Sequence, residues 1–416
     1  MEGRPVSERP MGGTPSLLRA INDGAALRVL LERGPLTRPE LGALIGLSKP
    51  TASQLLARLQ EAGLVVLDGI RGGMPGRTAE LYRINPGAAH VAALDVTPAR
   101  IEVAVADITG SAVATHRLPT PGRTGGDVVE RVRSALTGAC SPAGLDPRTL
   151  NRVVIGIGGA IDPSTGRLGY AAHIPGWHVP DVVAALRDGI GVPVDIENDV
   201  NLAAQAERSR GAARGHRDFV LLWAEEGLGA ALVLDGRLHR GATGGAGEVG
   251  YMPVIGAPTA RDVGKRSRHG FQALSGGIAV LNILRAHGLR GPSPAQAVRN
   301  AVAAIERGRP EAARADATRA EAARAALAEV AARLALGLAA VTAVVDPEVV
   351  VLSGGVPTAG GEILRELVER ELHALTIPRP PVRLSAVEGN PVITGALDLA
   401  LGATRDELFG PLISPS

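Results

Sequence analysis

The sequence has few aromatic residues and almost no cysteine, and each shortage excludes a class of protein. Phe, Trp and Tyr together make up 2% of the 416 residues, too few for a platform that stacks single-stranded nucleic acid. The single cysteine, Cys140, excludes a disulfide framework and a thiolate-rich zinc site. No run of about 18 apolar residues occurs, and the first residues lack the apolar core of a signal peptide. We therefore expect a cytoplasmic protein with no membrane partner.

What remains is an ordinary globular composition, with 45% hydrophobic and 21% charged residues. At about 150 residues per domain, the length predicts two or three domains. The net charge is only +2, but it is unevenly distributed. Residues 1–85 hold eleven Lys or Arg against eight Asp or Glu, whereas the rest of the chain is slightly acidic. This excess of basic residues indicates an anionic partner for the first fifth of the chain.

The first 85 residues predict a flexible tail followed by a winged helix-turn-helix. Residues 1–15 are rich in Gly, Pro and charge without periodicity, which is typical of a tail. Residues 16–85 then predict three helices, the second opened by a capping box at Thr37–Glu40 and the third by Ser48. Two strand-like runs around a Gly-rich turn follow. Three helices and a hairpin, in this order, form a winged helix-turn-helix.

The polar residues of the third helix and the hairpin suit double-stranded DNA. Gln and Arg read base edges in the major groove, a helix N-terminus binds phosphate, and basic residues on a hairpin reach phosphate or the minor groove. The sequence thus predicts an operator-binding surface formed by Ser48, Lys49, Thr51, Gln54, Arg58, Arg71 and Arg77. The alternative is an ordinary solvated helix face and hairpin.

Residues 86–416 predict a second, larger α/β domain. Asn85, Pro86 and Gly87 break the preceding pattern and form the linker. A strand–loop–strand–Gly unit occurs at residues 91–110 and again at 219–236. Helical runs alternate with single strands between and after these units. This repetition predicts two related lobes with a cleft between them.

Residues 295–343 are rich in Ala and Arg, with Glu interspersed. A basic helix that binds nucleic acid is one interpretation, but charges of alternating sign at helical spacing favour solvated helices. We expect Leu327, Val330, Leu334 and Leu338 to face the core of the domain.

Seven short segments, in this order and spacing, carry a family resemblance. They are Arg33–Arg38, Gly46–Thr51, Gly156–Asp162, Ile174–Trp177, Glu197–Asn201, Gly244–Gly250 and Leu352–Gly355. With them the chain resembles the ROK family (repressors, open reading frames and kinases), in its regulator type with an N-terminal winged helix. The resemblance implies an actin-like, sugar-kinase-like fold for residues 86–416.

The kinases of this family bind ATP and a hexose in the cleft, but both stretches that match their phosphate loops depart from the pattern. In Asp95–Ala99, Thr97 and Pro98 replace glycines, and proline has no N–H to offer a phosphate. The second stretch, Glu225–Gly229, begins with two carboxylates that would repel phosphate. We therefore expect no ATP, no other cofactor and no kinase activity.

On the sugar side, the resemblance implies a set of hydrogen-bonding residues. The family's sugar-contacting pair corresponds to Asn198 and Asp199, with Asp199 at the position of the catalytic base, here vestigial. His173 replaces an asparagine of the family and Gln272 replaces a glutamate. The full predicted sugar site is Asn198, Asp199, Glu248, His173, Tyr251 and Gln272.

Structural roles are the alternatives for these residues. Asp199 is otherwise a helix cap or an ancestral remnant, Glu248 a carboxylate that holds the glycine loop, and His173 a surface or capping residue. Tyr251 stands where the family has a zinc-binding histidine, and it either offers its hydroxyl to a ligand or packs. The stretch Thr259–Gly270 has no cysteine and only His269 as a potential ligand. One ligand does not make a tetrahedral site, so we expect no metal.

Together these features predict a DNA-binding transcriptional repressor of carbohydrate-related genes. Its expected partners are a double-stranded DNA operator and a sugar or sugar-phosphate effector. Because one winged helix contacts a single half-site, we also expect at least a homodimer. The resemblance implies a dimer or a tetramer formed by the large domain. Two alternatives remain open: an active ATP-dependent sugar kinase with a DNA-binding appendage, and a regulator controlled by a protein partner.

Overall fold

The computed structural model describes residues 15–71, 79–120, 127–162, 164–169, 174, 176–177, 179–264, 268–308 and 313–410. Of the predicted tail, residues 1–14 lie outside the described residues, and Pro15 is already the first residue of a helix. The flexibility of the tail therefore stays a prediction.

The first part of the chain folds as three helices and a three-stranded sheet. Its elements are α1 (Pro15–Arg33), β1 (Leu36–Thr37), α2 (Arg38–Leu44), α3 (Lys49–Glu61), β2 (Val65–Arg71) and β3 (Ala79–Ile84). The strands are antiparallel in the order β1-β3-β2. Thr37 and Glu40 form the predicted capping box, and Ser48 caps α3. The predicted winged helix-turn-helix is confirmed.

The hydrophobic core of the winged helix also contains residues from the larger domain. Leu27 and Leu55 lie in one cluster with Ile108, which follows a strand of the larger domain, and with Phe409, near the end of the described chain. Ile108 is fully buried and Phe409 is 5% exposed. The winged helix is therefore attached to the larger domain by packing as well as by the linker.

The larger domain begins with a lobe built on a five-stranded sheet. Its elements are β4 (His90–Val96), β5 (Arg100–Asp107), β6 (Ala112–Pro119), α4 (Val128–Cys140), β7 (Arg152–Ile157), β8 (Ala160–Ile161), β9 (Leu168–Gly169), α5 (Val182–Ile190) and β10 (Val194–Asn198), followed by α6 (Asp199–Arg210). The sheet order is β10-β7-β4-β5-β6. Strands β4, β5 and β6 are antiparallel, whereas β4, β7 and β10 are parallel.

The second lobe repeats this plan. Its elements are β11 (Phe219–Ala224), β12 (Leu228–Leu234), β13 (Arg237–His239), α7 (Ala260–Val263), α8 (Gly270–Ser275), α9 (Gly277–Ala286), α10 (Pro294–Arg307), α11 (Arg314–Val345), β14 (Val349–Ser353), α12 (Gly355–Leu375) and β15 (Val382–Leu384). The sheet order is β13-β12-β11-β14-β15, with three antiparallel strands and then two parallel additions. The predicted architecture of two related lobes is confirmed. The last helix, α13 (Pro391–Phe409), returns to the first lobe and packs on β4, β7 and α6.

Helix α11 is long and apolar enough to cross a membrane by length and composition, and it is the one such helix in the part of the chain that the structure describes. Its apolar face, however, belongs to the core of the second lobe. Leu327, Val330, Leu334 and Leu338 are each at most 1% exposed and pack in the cluster that surrounds β14. The predicted inward orientation of these four residues is confirmed, and α11 buries one face in the core of the second lobe.

Candidate functional site

Helix α3 exposes a polar face to solvent because its apolar face is buried in the core of the winged helix. Ala52, Leu55, Leu56 and Leu59 are buried, which orients the helix. Lys49, Thr51 and Gln54 are exposed. Ser48 Oγ accepts the N–H of Thr51 and lies 2.8 Å from its hydroxyl. The structure thus leaves Lys49 and Gln54 accessible and uses Ser48 and Thr51 to start the helix.

Two of the predicted DNA-binding arginines form ion pairs within the winged helix. Arg58 contacts Asp23 of α1 at 2.7 Å, and Arg71 contacts Glu40 of α2 at 2.7 Å. Hydrogen bonds from Thr37 and the Arg71 guanidinium lower the pKa of Glu40. Arg58 therefore ties α3 to α1, a structural role that sequence reasoning missed. Arg77 lies outside the described residues.

The predicted sugar pair stands where β10 runs into α6, at the cleft between the lobes. The side-chain oxygen of Asn198 accepts the N–H of Asn201, and its amide donates to the carbonyl of Gly159 at 3.0 Å. Asn198, not Asp199, is therefore the cap of α6. Asp199 Oδ1 accepts the adjacent N–H of Val200. Burial raises the pKa of Asp199 to about 6, and the negative charge of Asp95 adds to the effect.

Glu248 reaches the same cleft from the second lobe. The N–H of Val249 donates to the carbonyl of Gly247 at 2.7 Å, which closes a tight turn with Glu248 at its apex. Gly247 has a φ of +94°, and any Cβ there would overlap the carbonyl of Ala230, so the turn requires glycine. Burial and the charge of Asp199 raise the pKa of Glu248 to about 7. The structure thus brings together the two carboxylates that the resemblance assigned to the sugar.

Gln272 is occupied by backbone groups of the loop that matches the second phosphate loop. Its side-chain oxygen accepts the N–H of Leu228 at 2.8 Å, and its amide donates to the carbonyl of Glu226 at 3.0 Å. In the same loop, Glu225 lies beside the first residue of α12, since an ideal Cβ on Gly355 would be 3.1 Å from its carboxylate. Gln272 therefore holds the loop in shape, and its predicted contact with a sugar stays a prediction.

The turn that matches the first phosphate loop is also closed internally. The N–H and the hydroxyl of Thr97 both donate to the carbonyl of Arg100, at 2.9 and 3.1 Å. Thr97 therefore shapes the turn between β4 and β5, and its N–H is already used in a hydrogen bond.

At the end of β4, the buried Asp95 accepts a hydrogen bond from the side-chain amide of Asn390 at 2.9 Å. Burial raises the pKa of Asp95, and the hydrogen bond from Asn390 opposes this shift. The pattern at Asp95–Ala99 pointed to this turn, but no local signal identified Asn390.

Tyr251 and His269 lie side by side in the region that corresponds to the zinc site of the family. Tyr251 is 48% exposed, and its ring lies 5.6 Å from the ring of His269, centroid to centroid, at a tilt of 50°. Within the described ranges, no group of three His, Cys, Asp or Glu residues is placed to hold a metal ion. The contact of Tyr251 with a sugar stays a prediction. His173 lies outside the described residues.

Comparison with known proteins agrees with this arrangement of domains. Residues 91–403 match the ROK family, and residues 21–70 match the MarR family. The chain belongs to the ROK family. The first match covers the two lobes, including the cleft residues Asp199 and Glu248, and the second covers α3.

Relatives of this ROK protein include both regulators and kinases. A xylose repressor of Caldicellulosiruptor bescii is 26% identical over 245 residues, which are 58% of this chain and 61% of that protein. A solved ROK family transcriptional regulator, a homolog of the E. coli MLC protein, has a TM-score of 0.70 over 94% of this chain and 98% of its own. At 19% sequence identity, this similarity shows that the two chains share a fold and nothing more. A ROK hexokinase from Thermus thermophilus has a TM-score of 0.58 and 27% identity, over 76% of this chain and 99% of its own.

Proposed function

We propose that this ROK protein is a cytoplasmic, sequence-specific DNA-binding repressor of carbohydrate-related genes. In this proposal the winged helix binds a double-stranded operator and the two-lobed domain binds a sugar or sugar phosphate. The observation that carries the proposal is that one chain combines an exposed polar face on α3 with the carboxylates Asp199 and Glu248 in the inter-lobe cleft. The similarity to a xylose repressor supports both halves of it.

The cleft chemistry suits a polyol. A carboxyl group with a pKa near neutrality accepts hydrogen bonds when ionised and donates one when protonated, and sugar hydroxyls do both. Asp199 lies close enough to Glu248 for its charge to raise the pKa of Glu248, and the two side chains come from different lobes. A sugar held between them would contact both lobes and would favour a defined separation of the lobes.

Regulation without catalysis is part of the proposal. Backbone N–H groups that cradle phosphate are the usual means of binding a nucleotide in such loops. Here the N–H of Thr97 donates to Arg100, and the N–H of Leu228 donates to Gln272. The Glu225 carboxylate stands beside the N-terminus of α12, a helix end that favours an anion, so a phosphate would meet a negative charge there.

A sugar kinase is the second candidate function, because two observations favour it. The pKa of Asp199, raised to about 6, suits a general base that accepts a proton from a sugar hydroxyl. The similarity to the Thermus thermophilus hexokinase covers 99% of that enzyme. These observations make ATP turnover a necessary measurement.

The test starts from the purified full chain. Selection from a random DNA library, followed by a thermal-shift screen of free and phosphorylated sugars with and without ATP, examines both domains. We expect an enriched inverted repeat and a sugar that raises the melting temperature without ATP. Failure to enrich any DNA sequence would overturn the repressor proposal. Sugar-dependent ADP release that disappears in Asp199→Asn would establish the kinase instead.

A further inference from the structure

Helix α13 connects the inter-lobe cleft to the DNA-binding domain. It starts at Pro391, directly after Asn390, and ends at Phe409. Its 19 residues span about 28 Å at 1.5 Å per residue. One end therefore lies at Asp95 in the cleft and the other lies in the core of the winged helix.

At the cleft end, one side chain both starts the helix and binds a cleft residue. The oxygen of the Asn390 carboxamide accepts the N–H groups of Val392 and Ile393, at 3.0 and 3.3 Å. Its amide nitrogen donates to Asp95 at 2.9 Å and to Glu102 at 3.3 Å. A group that competes for the Asp95 carboxylate therefore acts directly on the cap of α13.

The first turns of α13 are also in close contact with α6, the helix that starts at Asp199. Gly395 lies against the carbonyl of Leu202, where any Cβ would overlap that oxygen. The two helices cannot slide past each other freely at this point, since the contact involves backbone atoms. The cleft residues Asp199 and Asn390 thus stand at the start of two helices whose backbones are in direct contact.

At the other end, α13 is fastened to the winged helix by several contacts. Phe409 packs in the winged-helix core, and its carbonyl lies against Gly24 of α1, where no side chain fits. The Arg28 guanidinium donates to the carbonyl of Gly410. Arg405 donates to the carbonyl of Ile108, a member of the same core, at 2.8 Å. A rotation of the winged helix about the linker alone would break these contacts.

We propose that α13 transmits the state of the cleft to the winged helix, with Asn390 as the positioning residue. The proposal rests on the proposed function for the identity of the two ligands. A sugar hydroxyl that donates to Oδ2 of Asp95 competes with the Asn390 amide for the same oxygen. Loss of the Asn390 hydrogen bond shifts the first turn of α13, and α1 follows because Phe409 is part of its core. Sugar and operator binding are then linked by a factor of about five to a hundred.

The matched variants are Asn390→Ser and Asp127→Ser. Serine remains a helix cap but lacks the amide that reaches Asp95. Asp127 caps α4 by accepting the N–H of Val129, so Asp127→Ser makes a similar cap exchange at another helix. Asn390→Asp, which keeps a strong cap but places a carboxylate beside Asp95 and Glu102, serves as a second variant at the site.

Amide hydrogen exchange, measured without sugar or DNA, tests the connection itself. We expect both Asn390 variants to speed exchange in residues 24–30 of α1 and at the end of α13, and Asp127→Ser to leave these segments unchanged. Unchanged exchange in both Asn390 variants would overturn the proposal. The result does not depend on the protein having an operator or a sugar.

Fluorescence anisotropy with the selected operator then tests the linkage. In Asn390→Ser we expect the sugar to bind at least as tightly as to wild type, because no amide has to leave Asp95, while the effect of the sugar on operator affinity falls below about twofold. A wild-type response in both Asn390 variants would also overturn the role of α13. A wild-type protein that binds no operator or no sugar would contradict the proposed function, whereas the exchange data would still decide on α13.

Discussion

Glu197 and Arg240 join the two lobes by an ion pair, with 2.7 Å between Nε of Arg240 and Oε2 of Glu197. The Glu197 side chain is 12% exposed, and its other oxygen accepts the N–H of Asn198 and the amide of Asn201, each at 2.9 Å. The loop that carries Arg240 also touches the first lobe at Gly244, where a Cβ would crowd a carbonyl of β8. The second lobe is therefore tied to the segment that leads into α6.

Replacement of Arg240 tests whether its ion pair with Glu197 contributes to sugar binding in the cleft. We expect Arg240→Gln to weaken sugar binding by up to about fivefold, because a partly exposed ion pair contributes about 0.2–1 kcal/mol. Isothermal titration with the sugar found in the screen measures the effect. Arg217→Gln is the control, since Arg217 pairs with Asp235 on the surface of the second lobe. Equal losses of sugar affinity in Arg240→Gln and Arg217→Gln would show that the ion pair between the lobes makes no specific contribution to sugar binding.

The exposed face of α3 predicts two kinds of change in DNA binding. Gln54→Ala should cost about 1–3 kcal/mol on the selected operator and relax preference at one base pair, because a base contact is lost. Lys49→Ala should weaken all sequences similarly, because a phosphate contact carries no sequence information. Gel shifts on operator and scrambled DNA separate the two effects.

Arg58 also belongs to α3, but it forms an ion pair with Asp23, so its replacement affects stability as well as DNA binding. Arg58→Ala should therefore lower the melting temperature as well as operator affinity, which a thermal scan alongside the gel shift would show. Arg324→Ala on α11 provides an arginine control outside the winged helix. Intact affinity in the triple variant of Lys49, Gln54 and Arg58 to Ala would refute the assignment of α3 as the recognition helix.

Glu248 predicts a pH dependence of stability with a definite sign. Its pKa is raised from 4.5 to about 7 in the folded state, so the folded protein binds this proton more tightly than the unfolded chain. The contribution of Glu248 to stability is therefore largest below about pH 4.5 and is lost as the pH rises towards 7.

Glu248→Gln should remove this contribution to the pH dependence. When the pH rises from about 5.5 to 8.5, we expect the melting temperature of the variant to fall less than that of wild type. The difference should arise below the raised pKa of Glu248, because above it the carboxyl is ionised in both the folded and the unfolded state. Differential scanning calorimetry in matched buffers measures it. Glu321→Gln, an exposed glutamate on α11, should follow the wild-type curve. Identical curves for Glu248→Gln and wild type would contradict the burial of this carboxyl.

Assembly follows from the geometry of DNA recognition. One winged helix covers a single half-site, and useful affinity in a genome requires two half-sites about one helical turn apart. We expect at least a homodimer that reads an inverted repeat. Light scattering at micromolar concentration, with and without the selected operator, gives the mass directly. A monomer under both conditions would contradict this prediction.

Much of the fold was predictable because its signals are local. The capping box of Thr37 and Glu40 depends on two residues within one turn, and Ser48 starts α3 in the same way. The repeated strand units indicated two related lobes, and the family resemblance placed Asp199 and Glu248 in one cleft. The caps are recognised from residues within one helical turn, and the lobes and the cleft are recognised from motifs whose order along the chain is typical of the fold.

Tertiary structure alone decided which side chains meet across the molecule. Asn390 bonds Asp95 across 295 positions of sequence, and Arg58 pairs with Asp23 although both are ordinary surface types in the sequence. Gln272 matched a sugar-binding position, yet its hydrogen bonds go to the loop at Leu228. Such contacts depend on how the lobes and helices pack, because a polar side chain bonds whichever group the packing leaves within about 3 Å.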